Sequence, residues 1–184
     1  MITPVKETIS VHGRTFRVHV SAGQIMEHVR RIAGEIRSDH QGSVPVLVGI
    51  LNGSFMFLAD LVRELDIECE MTFVKLRSYD GMNSSGKISE DIGIQTDLEG
   101  RHVIIIEDIV DSGLTVAELA SAIKARDPAS IKLAALVHKP EANKHGMIPD
   151  YTGFETGDGF IIGYGMDFDQ LGRNLRDIYI ETEE

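Results

Sequence analysis

Glu107, Asp108 and Asp111, followed directly by Ser112-Gly113-Leu114-Thr115, are the residues of this chain best suited to chemistry. Small residues let backbone amides point at a phosphate, hydroxyls add donors, and a helix start favours negative charge, so Asp111 to Thr115 read as an anion cradle. Glu107 and Asp108 would repel that anion. Ionised carboxylates only accept hydrogen bonds and bind hard cations through oxygen, so these two suit hydroxyls or a magnesium ion. A ligand with a phosphate at one end and a diol or metal at the other satisfies both halves, and ribose 5-phosphate is such a ligand. Helix capping alone would account for Asp111 or Ser112. It would not account for crowded carboxylates, whose repulsion needs a bound cation or hydroxyls.

The elements that must position these groups follow from hydrophobic pattern. Val103-Ile104-Ile105-Ile106 is too short for a helix and lacks polar alternation, which predicts a strand covered on both faces. Val116, Leu119, Ala120 and Ile123 then fall at helical spacing, in a helix running to about Arg126 and ended by Asp127-Pro128. Asp111 to Thr115 therefore form the connection at a strand's carboxyl end, where ligands bind in open α/β sheets. Val44 to Ile50 repeats the arrangement, leading through Asn52-Gly53-Ser54 to a helix marked by Leu58, Leu61, Val62 and Leu65. That second Gly-Ser turn would serve equally as a helix cap or as amides for a diphosphate.

Further strands are expected at Val5 to Val11, Arg14 to Val20, Glu70 to Leu76, Asp91 to Gln95, Ile131 to Val137 and Phe160 to Asp167. His12-Gly13 reads as a hairpin turn. Ile25, Val29, Ile32 and Ile36 mark an amphipathic helix with Arg30, Arg31 and Arg37 on its solvated side. Asp80 to Glu90 and Asn143 to Gly157 read as loop, and the tail Glu181 to Glu184 as a frayed end. Strands alternating with helices predict an α/β fold with a mostly parallel twisted sheet flanked by helices on both faces.

Composition bounds the rest. At 184 residues, 42% hydrophobic and 26% charged, the chain is expected to form a single domain, 1–184. Nothing in it is apolar enough to cross a membrane or to serve as a signal core, which predicts a cytoplasmic protein. One cysteine, Cys69, excludes an internal disulfide, and the seven scattered histidines suggest no metal site. The net charge of −11 argues against a nucleic acid partner.

The stretch I-I-I-E-D-I-V-D-S-G-L-T resembles the phosphoribosyl diphosphate signature of the type I phosphoribosyltransferases, and its E-D-I-V-D-S-G form resembles the hypoxanthine-guanine branch. The resemblance extends over nearly the whole chain. It implies that fold with a small hood built from parts of the N- and C-terminal segments. It also implies transfer of ribose 5-phosphate from 5-phosphoribosyl 1-diphosphate to N9 of hypoxanthine or guanine. Glu107, Asp108, Asp111, Ser112, Gly113, Leu114 and Thr115 would hold the donor, with Asp111 catalytic. Leu51, Asn52 and Gly53, through a cis Leu51-Asn52 peptide, and Arg173 would hold the pyrophosphate. The family often has a basic residue where Asn52 stands, so here the backbone amides would carry that contact. Ser78 and Tyr79 would open an active-site lid. Lys139 would read the purine O6, Phe160 would stack on the ring, Ile161 would meet the base edge, and Asp167 would bind Mg2+ together with Glu107 and Asp108. The family forms dimers and tetramers, so a homodimer or homotetramer is expected. A regulator that keeps the donor pocket and binds nucleic acid is the rival reading.

Overall fold

The computed structural model describes residues 7–77 and 89–182. Its main sheet has six strands in the order β5-β4-β3-β6-β7-β8. They are β3 (Val46–Leu51), β4 (Glu70–Arg77), β5 (Ser89–Ile92), β6 (His102–Val110), β7 (Ser130–His138) and β8 (Tyr151–Glu155). Five of them run parallel, and β5 joins the edge antiparallel to β4.

Side chains alternate across a strand, so the two faces separate by residue parity. On one face Leu47, Ile104, Ile106, Ala134 and Leu136 pack under α1 (Ala22–Asp39) and α2 (Phe55–Leu65). On the other, Val46, Val48, Ile50, Val103, Ile105, Leu133 and Ala135 pack under α3 (Leu114–Lys124). Ile25, Val29, Ile32 and Ile36 are all buried on α1, whose first turn is closed by a reciprocal Ser21–Gln24 capping box. With helices on both faces, the central strand β6 is dry along most of its length.

A second sheet, in the order β1-β2-β10-β9, is built from the chain's two ends: β1 (Thr8–Val11), β2 (Arg14–Val20), β9 (Ile161–Ile162) and β10 (Ile178–Glu181). Its own small core is Phe16, Ile162 and Tyr179. The β1–β2 turn is His12-Gly13, both at positive φ, as a tight hairpin needs.

Several expectations are corrected. Strand β6 continues through Glu107 and Asp108 to Val110, because its pairing with β7 persists to Val110 opposite His138. Tyr151–Glu155 is a sixth strand where only turns were expected. Its Gly153 lies so close to the Leu136 carbonyl that a Cβ there would overlap it, which explains a glycine inside a strand. The return strand β5 spans Ser89–Ile92 rather than Asp91 to Gln95. The strand from Phe160 is only Ile161–Ile162, since Gly163, Tyr164 and Gly165 all take positive φ and turn the chain. Ile178–Glu181 forms a strand inside the second sheet, so Glu181 is not part of a frayed end. Arg31 is not simply solvated, because it donates to the carbonyls of Thr152 and Gly153.

Candidate active site

Glu107 and Asp108 sit at the carboxyl end of β6, 9% and 7% exposed. Adjacent strand residues point to opposite faces, yet both are covered, Asp108 by the β3–α2 turn. A side chain at Gly53 would overlap the Asp108 carboxylate and force it to shift, so glycine lets the turn close over that acid. Asp108 Oδ1 accepts the Ile109 amide at 3.0 Å, whereas Glu107 Oε2 is buried with no partner among the described residues. Burial pushes the Glu107 carboxyl well above its usual range, and the neighbouring Asp108 charge adds to this. Burial likewise pushes Asp108 up to about 6, against the pull of backbone amides and of Arg173. Two desolvated acids side by side are costly without a cation or hydroxyl donors.

Beyond them the chain turns through Asp111-Ser112-Gly113 into α3. Gly113 caps that helix at φ +81, a conformation that favours glycine. Neither Asp111 nor Ser112 caps the helix by a side-chain bond, apart from a long 3.4 Å contact from the Leu114 amide to Ser112 Oγ. Asp111 is half exposed and Thr115 partly buried, with Leu114 42% exposed beside them. Across the sheet, the Leu51-Asn52 peptide is cis, as the resemblance implied. Ser54 spends its hydroxyl on the Ile50 carbonyl, at 2.6 Å, rather than on capping α2. The backbone of Gly53 is in turn approached by the turn after β9, since a Cβ on Gly165 would overlap the Gly53 carbonyl.

Lys139 follows β7 and is 5% exposed, not the solvated lysine that is usual. Its Nζ lies 3.2 Å from Asp111 Oδ2, so the structure brings these two expected site residues together. Asp167 and Arg173 are also brought together: Nη2 pairs with Oδ1 at 2.7 Å, and Nη1 donates to the Gly165 carbonyl at 2.8 Å. Arg173 lies in a turn rather than on a helix, and its charge acts on Asp108, which ties the group to the β6 end. Ile161 is buried, while Phe160 is 40% exposed and rests edge-on against Phe168. A cleft of about 470 Å³ flanks Phe160 and is lined by Gly13, Arg14, Thr15, Gly159, Glu181 and Thr182, away from the acidic strand end. Ser78 and Tyr79 lie outside the described residues.

One positioning contact had no local signal. Tyr164 donates to Asp60 Oδ2 at 2.7 Å, 104 residues away, pinning the Gly163–Met166 turn to α2. Burial, then the Asp60 carboxylate, raise the Tyr164 hydroxyl's pKa, keeping it a donor. Among the described residues no group of three or more His, Cys, Asp or Glu is arranged to hold a metal alone.

A doubly wound α/β sheet with buried acids and a Ser-Gly turn at the carboxyl end of its central strand has its candidate site where ligands bind in this class of fold. The phosphoribosyl transferase domain model matches residues 21–169, and the chain belongs to that family. It is 40% identical over 169 residues to the hypoxanthine-guanine phosphoribosyltransferase of Streptococcus pneumoniae, covering 91% of this chain and 94% of the relative. The enzyme of that name from Bacillus subtilis is 38% identical over 160 residues, covering 86% and 89%. A crystal structure of a hypoxanthine-guanine phosphoribosyltransferase from Bacillus anthracis superposes with a TM-score of 0.84 at 34% identity, covering 90% of this chain and 96% of that one.

Proposed function

We propose that this enzyme transfers ribose 5-phosphate from 5-phosphoribosyl 1-diphosphate to N9 of hypoxanthine or guanine, giving a purine nucleotide and pyrophosphate in purine salvage. The observation that carries the reading is the desolvated pair Glu107 and Asp108, with an oxygen that has no partner among the described residues, directly ahead of an anion-binding turn. Ribose hydroxyls donate to these carboxylates, and the 5-phosphate occupies the turn from Asp111 to Thr115. Leu51, Asn52, Gly53 and Arg173 hold the pyrophosphate, and Ser78 and Tyr79 open the lid.

Positive charge develops at the anomeric carbon as the diphosphate departs, much as in glycoside cleavage. Glu107 and Asp108 lie on the ribose side of that cation, and Asp111 accepts or holds the purine N7 proton. The purine presents O6 and N7 on one edge, which suits an ammonium and a carboxylate 3.2 Å apart. Lys139 has donors and no acceptor, so it selects a 6-oxo group over a 6-amino one. Phe160 stacks on the base and Ile161 meets its edge.

Magnesium is the proposed cofactor, and when bound it supplies charge neutralisation for the diphosphate. The oxygen donors Asp167, Glu107 and Asp108 fit a hard cation. Magnesium keeps water and phosphate ligands, so one or two of these carboxylates would hold it. The protein is proposed to be cytoplasmic and to work as a homodimer or homotetramer without nucleic acid or membrane partners. No helix among the described residues is long and apolar enough to cross a membrane.

The test is nucleotide formation from the diphosphate donor and magnesium with hypoxanthine, guanine, xanthine, adenine and uracil in parallel. Activity with the first two and little with adenine or uracil is expected. Silence with every base, alongside retained donor binding, would favour the regulatory protein instead.

A further inference from the structure

Loop 140–147 packs on the Ser112–Gly113 turn, and one side chain, Asn143, holds the loop in shape. The His145 amide donates to the Ser112 carbonyl at 3.1 Å. Asn143 Oδ1 lies 2.7 Å, and Met147 Cβ 3.2 Å, from where a Cβ on Gly113 would be. The loop therefore rests directly on the cap of α3. The turn has little support of its own, its Ser112 Oγ to Leu114 amide contact being 3.4 Å long.

The orientation of Asn143 is fixed by chemistry. Its Oδ1 accepts the Met147 amide at 3.2 Å and its Nδ2 donates to the Met147 carbonyl at 2.8 Å. An amide can only donate and a carbonyl only accept, so the side chain cannot be reversed. Nδ2 then also faces His138 Nε2 at 3.2 Å, which makes that nitrogen an acceptor. The imidazole proton must sit on Nδ1, the atom 3.5 Å from Glu155 Oε1. His138 is 5% exposed, so its tautomer is set by these neighbours rather than by water. Polar contacts thus run from Glu155 on β8, through His138 at the end of β7, to Asn143 and the Met147 backbone, and the loop that they brace meets the turn before α3 through the His145 amide.

We propose that Asn143, whose Nδ2 His138 also accepts from, is a positioning residue for the donor's 5-phosphate: it clamps loop 140–147 onto Ser112–Gly113 and so fixes the turn that receives the phosphate. The inference rests on the phosphate site proposed above. Asn143 need not touch the ligand. Small displacements of a receiving turn are expensive, because several amides must aim at one anion together.

The test is calorimetric titration of inosine 5′-monophosphate and of inosine, whose difference isolates the phosphate. The wild-type protein should favour the monophosphate. Asn143→Ala should cut that preference roughly tenfold, leave inosine binding unmoved, raise KM for the diphosphate donor by a similar factor and hold kcat within about threefold. His138→Gln keeps an acceptor for Asn143 and should retain the preference. His138→Phe removes the acceptor and should lose most of it. If Asn143→Ala does not fold, Asn143→Asp, which keeps the acceptor but no donor, carries the same test beside the His138 pair. A folded Asn143 variant with unchanged preference would overturn the inference, as would His138→Phe behaving like His138→Gln. A wild-type protein indifferent to the phosphate would instead overturn the phosphate site itself.

Discussion

The two ends of the main sheet treat their acids in opposite ways. At the amino ends of the strands, Asp39 accepts from Lys132 at 2.6 Å and from the Tyr151 hydroxyl at 2.8 Å, and Glu70 pairs with Arg101 at 2.7 Å. The Lys132 hydrogen bond, then that of Tyr151, lower the Asp39 pKa. At the carboxyl ends, Glu107 and Asp108 are buried beside one another and their pKa values rise. The first arrangement is complete as it stands. The second leaves two acids desolvated side by side, the kind of arrangement that clusters at functional sites.

That contrast can be broken at several points. Asp111→Asn should have the largest effect, lowering kcat by roughly a hundredfold or more while KM for the diphosphate donor changes only a few-fold. Steady-state kinetics would show this, and near-normal turnover would remove Asp111 from the proton-transfer role. Lys139→Gln should come next, lowering kcat/KM for hypoxanthine and guanine about ten- to hundredfold, since it removes a charged donor to O6 from a buried position. Equal efficiency with both bases would mean that Lys139 does not read O6. At the other end of the sheet, Lys132→Gln should leave both kinetic constants unchanged and shift stability little, because its partner Asp39 is solvent-exposed. A denaturant titration beside the same assay would check that asymmetry.

Much of the architecture is legible in hydrophobic pattern. The run Val103 to Ile106 and the period of Val116, Leu119 and Ile123 locate β6, the turn and α3, and so the site's centre. What pattern misses is held by distant partners. Strand β8 is five residues long and contains Gly153, chosen by the Leu136 carbonyl on its neighbour rather than by any local turn. Glu181 reads as part of a frayed end, and Ile178 to Ile180 give no strand signal, because the partners of this strand lie far away in β2 and β9. The burial of Glu107 and Asp108 is hidden as well, since two acids after an apolar run look like the start of a loop. Only the strand pairing and the close approach of Gly53 bring them inside. Lys139, Phe160, Asp167 and Arg173 are expected at the site through resemblance alone, and their residue types do not separate them from surface or core.

Asp108 offers the most direct test, because binding and stability should move in opposite directions. Its folded pKa is raised from 3.8 to about 6, so the ligand-free protein holds a proton that the unfolded chain releases. The associated stability is present below pH 4 and lost as pH rises through 6, on the order of 3 kcal/mol at neutral pH for a shift of about two units. Melting temperatures of wild-type protein and Asp108→Asn would be compared at pH 7.5, with and without 5-phosphoribosyl 1-diphosphate and magnesium. Without the donor the variant should melt higher, an advantage that shrinks toward pH 4. With the donor the wild-type protein should gain several degrees and the variant little. A variant that melts lower on its own and gains as much from the donor as the wild type would contradict the assignment of the β6 acids to the ribose.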